Sequence, residues 1–198
     1  MRKSFWAVLT LLMLISLPAS AELRPARARL LLHANHELNK TYSLAGDFIP
    51  SGNLLAKGQL CPMGYMILGI QPLKWLNVAP TLGFNFAKNE LIVDTRLQLD
   101  VGPAYFWGLV DAQPASWDAY WFAQLDYKVM KWLHVGLEEE STGNYKKGKY
   151  SHGAGPNLLF RFGTAGIDLA MHRRWYDADN TFGTEFFARF HVFLPDSK

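Results

Sequence analysis

The chain has 198 residues, 14% of them aromatic with seven Trp, and 20 Lys and Arg stand against 17 Asp and Glu. So small a positive excess gives no electrostatic case for nucleic-acid binding, and a single cysteine, Cys61, excludes an internal disulfide. After Ala21 no apolar run approaches the roughly 20 residues that a helix needs to cross a bilayer, so any membrane-spanning structure in this stretch has to be built from strands.

Met1, Arg2 and Lys3 begin a short basic segment, Trp6 to Leu17 is an apolar run, and Ala19-Ser20-Ala21 is a small-x-small cleavage site. This is the form of a secretory signal peptide over residues 1–21, leaving residues 22–198 as one domain. Without Arg2 and Lys3 the chain is close to neutral. An exported chain would tolerate disulfides, yet Cys61 has no partner and is expected to be an ordinary packed residue.

From Ala28 to Leu38, polar and apolar residues alternate, and a first strand is expected there; Asn39 to Asn53, with Gly46, Pro50, Ser51 and Gly52, is expected to be a loop. A second strand lies within Leu54 to Pro72, clearest from Tyr65 to Ile70. Between Lys74 and Phe86 the alternation is unbroken: Leu76, Val78, Pro80, Leu82, Phe84 and Phe86 fall on one face, and Asn77, Ala79, Thr81, Gly83 and Asn85 on the other. A three-residue turn, Leu73-Lys74-Trp75, would place Met66, Leu68 and Ile70 on the same apolar face.

In the next strand Leu91, Val93, Thr95, Leu97, Leu99 and Val101 alternate with Ile92, Asp94, Arg96, Gln98 and Asp100. A turn at Gly102-Pro103-Ala104 pairs Val101 with Tyr105 and sends Tyr105, Trp107 and Leu109 to the apolar face. Asp111 to Trp117 is a loop. Trp121, Leu125, Tyr127 and Val129 then oppose Tyr120, Phe122, Gln124, Asp126 and Lys128. After a turn at Met130-Lys131-Trp132, Leu133, Val135 and Leu137 oppose His134, Gly136 and Glu138. The chain reads as a polar loop from Glu139 through Lys149, with Glu138-Glu139-Glu140 as a solvated rim. Alternation resumes in Ala154 to Phe162, Ile167 to Arg174 and Glu185 to Leu194.

These segments predict an all-β protein, a closed antiparallel up-and-down transmembrane β-barrel of about ten strands, with eight or 12 as the bounds and both chain ends on one side. Closure leaves no backbone group unpaired in lipid. The chain resembles small bacterial outer-membrane β-barrel proteins in its leader, alternating strands, short turns against longer loops and aromatic-rich last strand. It departs from them in the final Pro195-Asp196-Ser197-Lys198, where an aromatic end is usual. The resemblance implies an outer-membrane location, contact with outer-membrane lipid and lipopolysaccharide, and insertion by barrel-assembly machinery.

Trp75, Trp107, Trp117, Trp132 and Trp175 fall near strand ends and are expected as interface aromatics. The opposite face collects Asp94, Arg96, Gln98, Asp100, Asp126, Lys128, Glu138, Arg161, Asp168, His172, Arg174, Glu185 and Arg189, which are expected to pair with one another in a narrow lumen. That lumen either fixes strand register or passes small solutes. No metal site, cofactor or catalytic group is expected, and no residue pattern points to a protein partner. His33, His134, His172 and His191 share the inward parity but lie on separate strands, and no Gly-x-Ser-x-Gly or His-Glu-x-x-His pattern occurs. Ser151-His152 and the glycines after it partly resemble a stretch of outer-membrane lipid A deacylases whose surrounding residues this chain does not match. Lys146, Lys147 and Lys149 could meet lipopolysaccharide phosphates. Two alternatives remain: an outer-membrane hydrolase acting on lipid, and a soluble periplasmic lipocalin-like carrier in which the faces are inverted.

Overall fold

The computed structural model describes residues 22–56 and 60–195; the expected signal peptide lies outside them. The described chain holds twelve strands: β1 (Glu22–Leu23), β2 (Arg27–Glu37), β3 (Tyr42–Ile49), β4 (Met63–Leu73), β5 (Leu76–Asn85), β6 (Glu90–Val101), β7 (Ala104–Gln113), β8 (Asp118–Met130), β9 (Leu133–Asn144), β10 (Lys149–Phe162), β11 (Ala165–Tyr176) and β12 (Thr181–Phe193). From β2 to β12 each strand pairs antiparallel with the next, and β12 pairs with β2 in parallel, from Phe187↔Arg27 to Phe193↔His33. The result is a closed barrel of eleven strands, and β1 extends the same edge at Glu22↔Gly183.

The count differs from the ten expected because β3 forms inside the segment expected to be a loop. Its outward residues, Tyr42, Leu44, Gly46 and Phe48, do alternate with Ser43, Ala45, Asp47 and Ile49, but Ala45 and Gly46 weaken the contrast and Pro50-Ser51-Gly52 follows at once. An odd number of strands also separates the ends: the described chain enters at one rim beside Gly183 and leaves at the other after Phe193. The expectation of both ends on one side is thereby corrected.

The two rims are built differently. At the exit rim, β4–β5, β6–β7, β8–β9 and β10–β11 are joined through Lys74-Trp75, Gly102-Pro103, Lys131-Trp132 and Gly163-Thr164. At the entry rim four hairpins have four-residue connections, and each ends in a residue with positive φ: Asn89, Trp117, Gly148 and Asn180.

Turn type decides which way the side chains point. Lys74-Trp75 and Lys131-Trp132 contain no residue of positive φ, and such a turn would splay right-twisted strands. A bulge beside each, between Ile70 and Leu73 and between Lys128 and Met130, accommodates it and adds one residue to the register. Met66, Leu68 and Ile70 therefore keep the apolar parity. Gly102 has φ +62 and Pro103 a fixed negative φ, the combination of a type II′ turn. That turn needs no bulge, so Val101 pairs with Ala104 and Asp100 with Tyr105. Tyr105, Trp107 and Leu109 consequently point inward, and the expectation that Trp107 is an interface aromatic is corrected: its ring packs on Phe122 inside the barrel, centroids 5.0 Å apart.

The outer face carries Met66, Leu82, Leu97, Leu125, Leu137, Leu169, Phe186 and Phe190, all exposed. Register places Met66 beside Leu82 and Leu125 beside Leu137, so the apolar belt runs across neighbouring strands. Trp75 and Trp132 sit exposed in two exit-rim turns, and Trp117 and Trp175 lie at the entry rim. The interior holds Ile92, Phe122 and Phe187 together with most of the charged strand residues.

Candidate functional site

The inward charges form a connected lattice. Arg189 donates from Nη1 to Glu138 Oε2 at 2.8 Å and to Asp168 Oδ2 at 2.7 Å, and its guanidinium lies over the Phe187 and Phe122 rings at 4.1 and 4.6 Å. Glu138 also takes His172 Nε2 at 2.6 Å on its other oxygen. One pair nearer the entry rim, Arg174 donates to Glu185 at 2.9 Å and to Glu140 at 2.8 Å, while Arg27 bridges the same two carboxylates and Arg29 reaches Glu140 at 3.2 Å. Glu140 thus meets three arginines with no exposed surface. Across the barrel Arg96 donates to Asp94 at 2.8 Å and to Asp47, and Asp47 accepts from His33 at 2.7 Å.

Asp94, Asp126, Glu138, Asp168, His172, Arg174, Glu185 and Arg189 are buried inside the barrel, and Arg96 and Gln98 are half-buried. Asp126 belongs to a separate group with Gln124 and Asn157. Asp100, Lys128 and Arg161 lie exposed at the exit rim, where Arg161 covers the Tyr105 ring.

Sequence reasoning missed Arg27, Arg29, Asp47, Asp111 and Glu140. Asp47 and Asp111 fell in segments read as loops. The reading of Glu138-Glu139-Glu140 as a solvated rim is corrected: β9 continues to Asn144, so Glu138 and Glu140 face inward and only Glu139 faces out. The alternation through Glu138, Glu140 and Thr142 was the available signal, obscured because their outward partners Glu139 and Ser141 are also polar.

Two cavities flank this lattice. One, of about 520 Å³, opens toward the entry rim past Lys88 and Asp118; the other, of about 630 Å³, opens toward the exit rim past Asn39 and Gly163. Asp47, Arg96, Trp107 and Arg189 line both, so these four side chains form the waist between them. Glu140, His172 and Glu185 bring potential metal-ligating atoms within 4.8 Å of one another. Their carboxylates are already engaged by Arg27 and Arg174, and that positive charge opposes a cation, so the group reads as a node of ion pairs.

Comparison with protein-family models, curated proteins and solved structures found no match to this chain.

Proposed function

We propose that the chain is an integral β-barrel of the bacterial outer membrane, exported by a leader over residues 1–21 and inserted by barrel-assembly machinery, whose plugged lumen makes it a structural envelope protein rather than an open pore. The observation that carries this reading is the sidedness of the closed sheet. Leu97 is 37% exposed on the outer wall, whereas its neighbours Asp94 and Arg96 are turned inward, Asp94 at 2%. A soluble carrier of the lipocalin kind needs the opposite arrangement. An apolar belt running around a barrel far exceeds the few hundred Å² that soluble monomers usually expose, and in lipid it is the stable arrangement because a closed sheet leaves no edge. Exposed Trp75 and Trp132 at one rim and Trp117 at the other suit the two bilayer interfaces. Lys146 and Lys147, exposed on the β9–β10 hairpin, suit the phosphates of lipopolysaccharide at the outer surface.

Against a pore stands the waist. Arg96 is tied to Asp94 and Asp47, and Arg189 to Glu138 and Asp168, so a solute would have to break buried ion pairs to pass. The expressed protein should partition with outer membranes, migrate differently on gels before and after heating, and give no conductance steps in planar bilayers. Recovery as a monodisperse protein in detergent-free buffer would overturn the membrane reading, and regular steps from the unaltered protein would overturn the plug. The double variant Arg96→Ala, Trp107→Ala, which clears one side of the waist, is expected to give small steps where the parent is silent.

A further inference from the structure

On the outer wall, near the entry rim, the aliphatic belt is interrupted. Register sets Trp121 of β8, Ser141 of β9, His152 of β10 and Trp175 of β11 side by side in one row. The row below, toward the exit rim, holds Glu139, Ala154 and Arg173. The Ser141 hydroxyl lies 3.0 Å from His152 Nδ1 and is hydrogen-bonded to the Glu139 carboxylate. His152 is held in place by rings on three sides: it stacks on Trp175 at 5.7 Å with planes 13° apart, on Tyr150 at 6.4 Å, and meets Trp121 at 5.4 Å. Trp121 and His152 stand on the strands either side of Ser141, so their rings meet over it and leave it no exposed surface.

Nothing in barrel closure requires this group. A carboxylate on a lipid-facing wall lowers stability, most at the bilayer midplane and progressively less toward the interfaces, and ionisable groups within membrane-spanning segments mark function. We propose that Ser141, His152 and Glu139 form a hydrolytic site that cleaves an acyl ester of an anionic membrane lipid entering from the bilayer. This rests on the membrane reading above, because the wall must face lipid for such a substrate to reach it.

The chemistry follows from the contacts. The Ser141 hydroxyl, which donates to Glu139 at rest, turns its one proton toward His152 Nδ1, and its oxygen attacks the ester carbonyl as that proton passes to the imidazole; the carbon–oxygen bond to the lipid breaks, and the leaving alkoxide takes the proton from the imidazolium. Water then attacks the acyl-serine, again giving a proton to His152, which returns it to Ser141 Oγ as the fatty acid leaves. Glu139 gives up the hydroxyl as the proton turns to His152, and its negative charge in the adjoining row offsets the positive charge that forms there. Exposed Lys146 and Lys147 on the hairpin above can hold an anionic headgroup. Until an acyl chain parts the Trp121 and His152 rings, they keep the pair closed to water.

The test uses the full mature protein in two preparations, phosphatidylglycerol vesicles and lipopolysaccharide micelles, with released fatty acid measured by mass spectrometry and the heat-dependent gel shift recorded on the same samples. Release from one or both is expected, and which preparation responds identifies the lipid. Ser141→Ala and His152→Ala should each lower release by about 100-fold or more, with the gel shift unchanged, while Ser151→Ala, whose hydroxyl bonds Thr142 and Arg174 inside the barrel, leaves release intact. A fluorophosphonate should label Ser141 in the parent. A barrel that shifts on heating and partitions with membranes yet releases nothing from either lipid, or releases equally as Ser141→Ala, overturns the hydrolytic site and spares the membrane reading. A protein that stays soluble without detergent overturns both.

Discussion

Glu140 shows how much a single side chain carries in this interior. It has no exposed surface and meets Arg27, Arg29 and Arg174, so removing its charge leaves three guanidinium groups facing one another with Glu185 as the nearest remaining counter-charge. Breaking a buried pair from one side typically costs about 3–5 kcal/mol. Glu140→Gln, which keeps the shape, should therefore lower stability by about 3 kcal/mol in urea unfolding of the folded barrel. Lys128→Gln at the exposed exit rim should stay within about 0.5 kcal/mol. A loss for Glu140→Gln no larger than for Lys128→Gln would mean that the lattice does not hold the barrel together. The sequence displayed this residue's role only in part. Alternation put Glu138 and Arg174 inside because each ends a run whose opposite face is aliphatic up to that point, Leu133, Val135 and Leu137 before Glu138, and Ile167, Leu169 and Met171 before Arg174. Glu140 lay between Glu139 and Ser141, and a polar outward face erases the period-two contrast on which the reading depends.

At the level of strands and turns, the belt was legible wherever hydrophobic residues alternate with polar ones, as in β5, β6 and β8. The errors trace to turn geometry. Parity passes across a hairpin only if its length and bulges are known, and Gly102-Pro103 differs from Lys74-Trp75 by the one residue that a bulge supplies. Without the bulge every side chain of β7 changes face, which is why Trp107 moved inside. Glycines separate the two ways in which such elements are fixed. At Gly102 an added Cβ meets nothing within 4 Å, and only the positive φ opposes it, so Gly102→Ala should cost about 1 kcal/mol. At Gly155 the Cβ would lie 1.8 Å from the Met171 carbonyl oxygen of β11. Relief there requires β10 and β11 to separate, and Gly155→Ala should cost several times as much, about 3 kcal/mol or more. Equal losses in the same unfolding measurement would place the close approach of these two strands in error.

For the whole molecule, the decisive number is the strand count, which the sequence bounded but did not fix, because β3 was hidden in a segment dense with turn residues. Eleven strands cannot alternate all the way round. One neighbouring pair must run parallel, and here β12 and β2 do so over seven residues. The consequence is topological. A barrel with an even number of strands returns the chain to the side from which it started, whereas this one starts at the rim carrying the four-residue hairpins and finishes at the rim of tight turns. With the tight turns facing the periplasm, as the proposed insertion implies, a peptide tag placed immediately before Glu22 in the mature protein would stand at the cell surface and one placed after Lys198 in the periplasm. Antibody on intact cells should then bind the first tag and not the second, with both detected after the outer membrane is permeabilised. Detection of neither on intact cells would put the two ends on the same side. The β12–β2 seam would then have to be replaced by an antiparallel closure, with one strand fewer or one more in the wall.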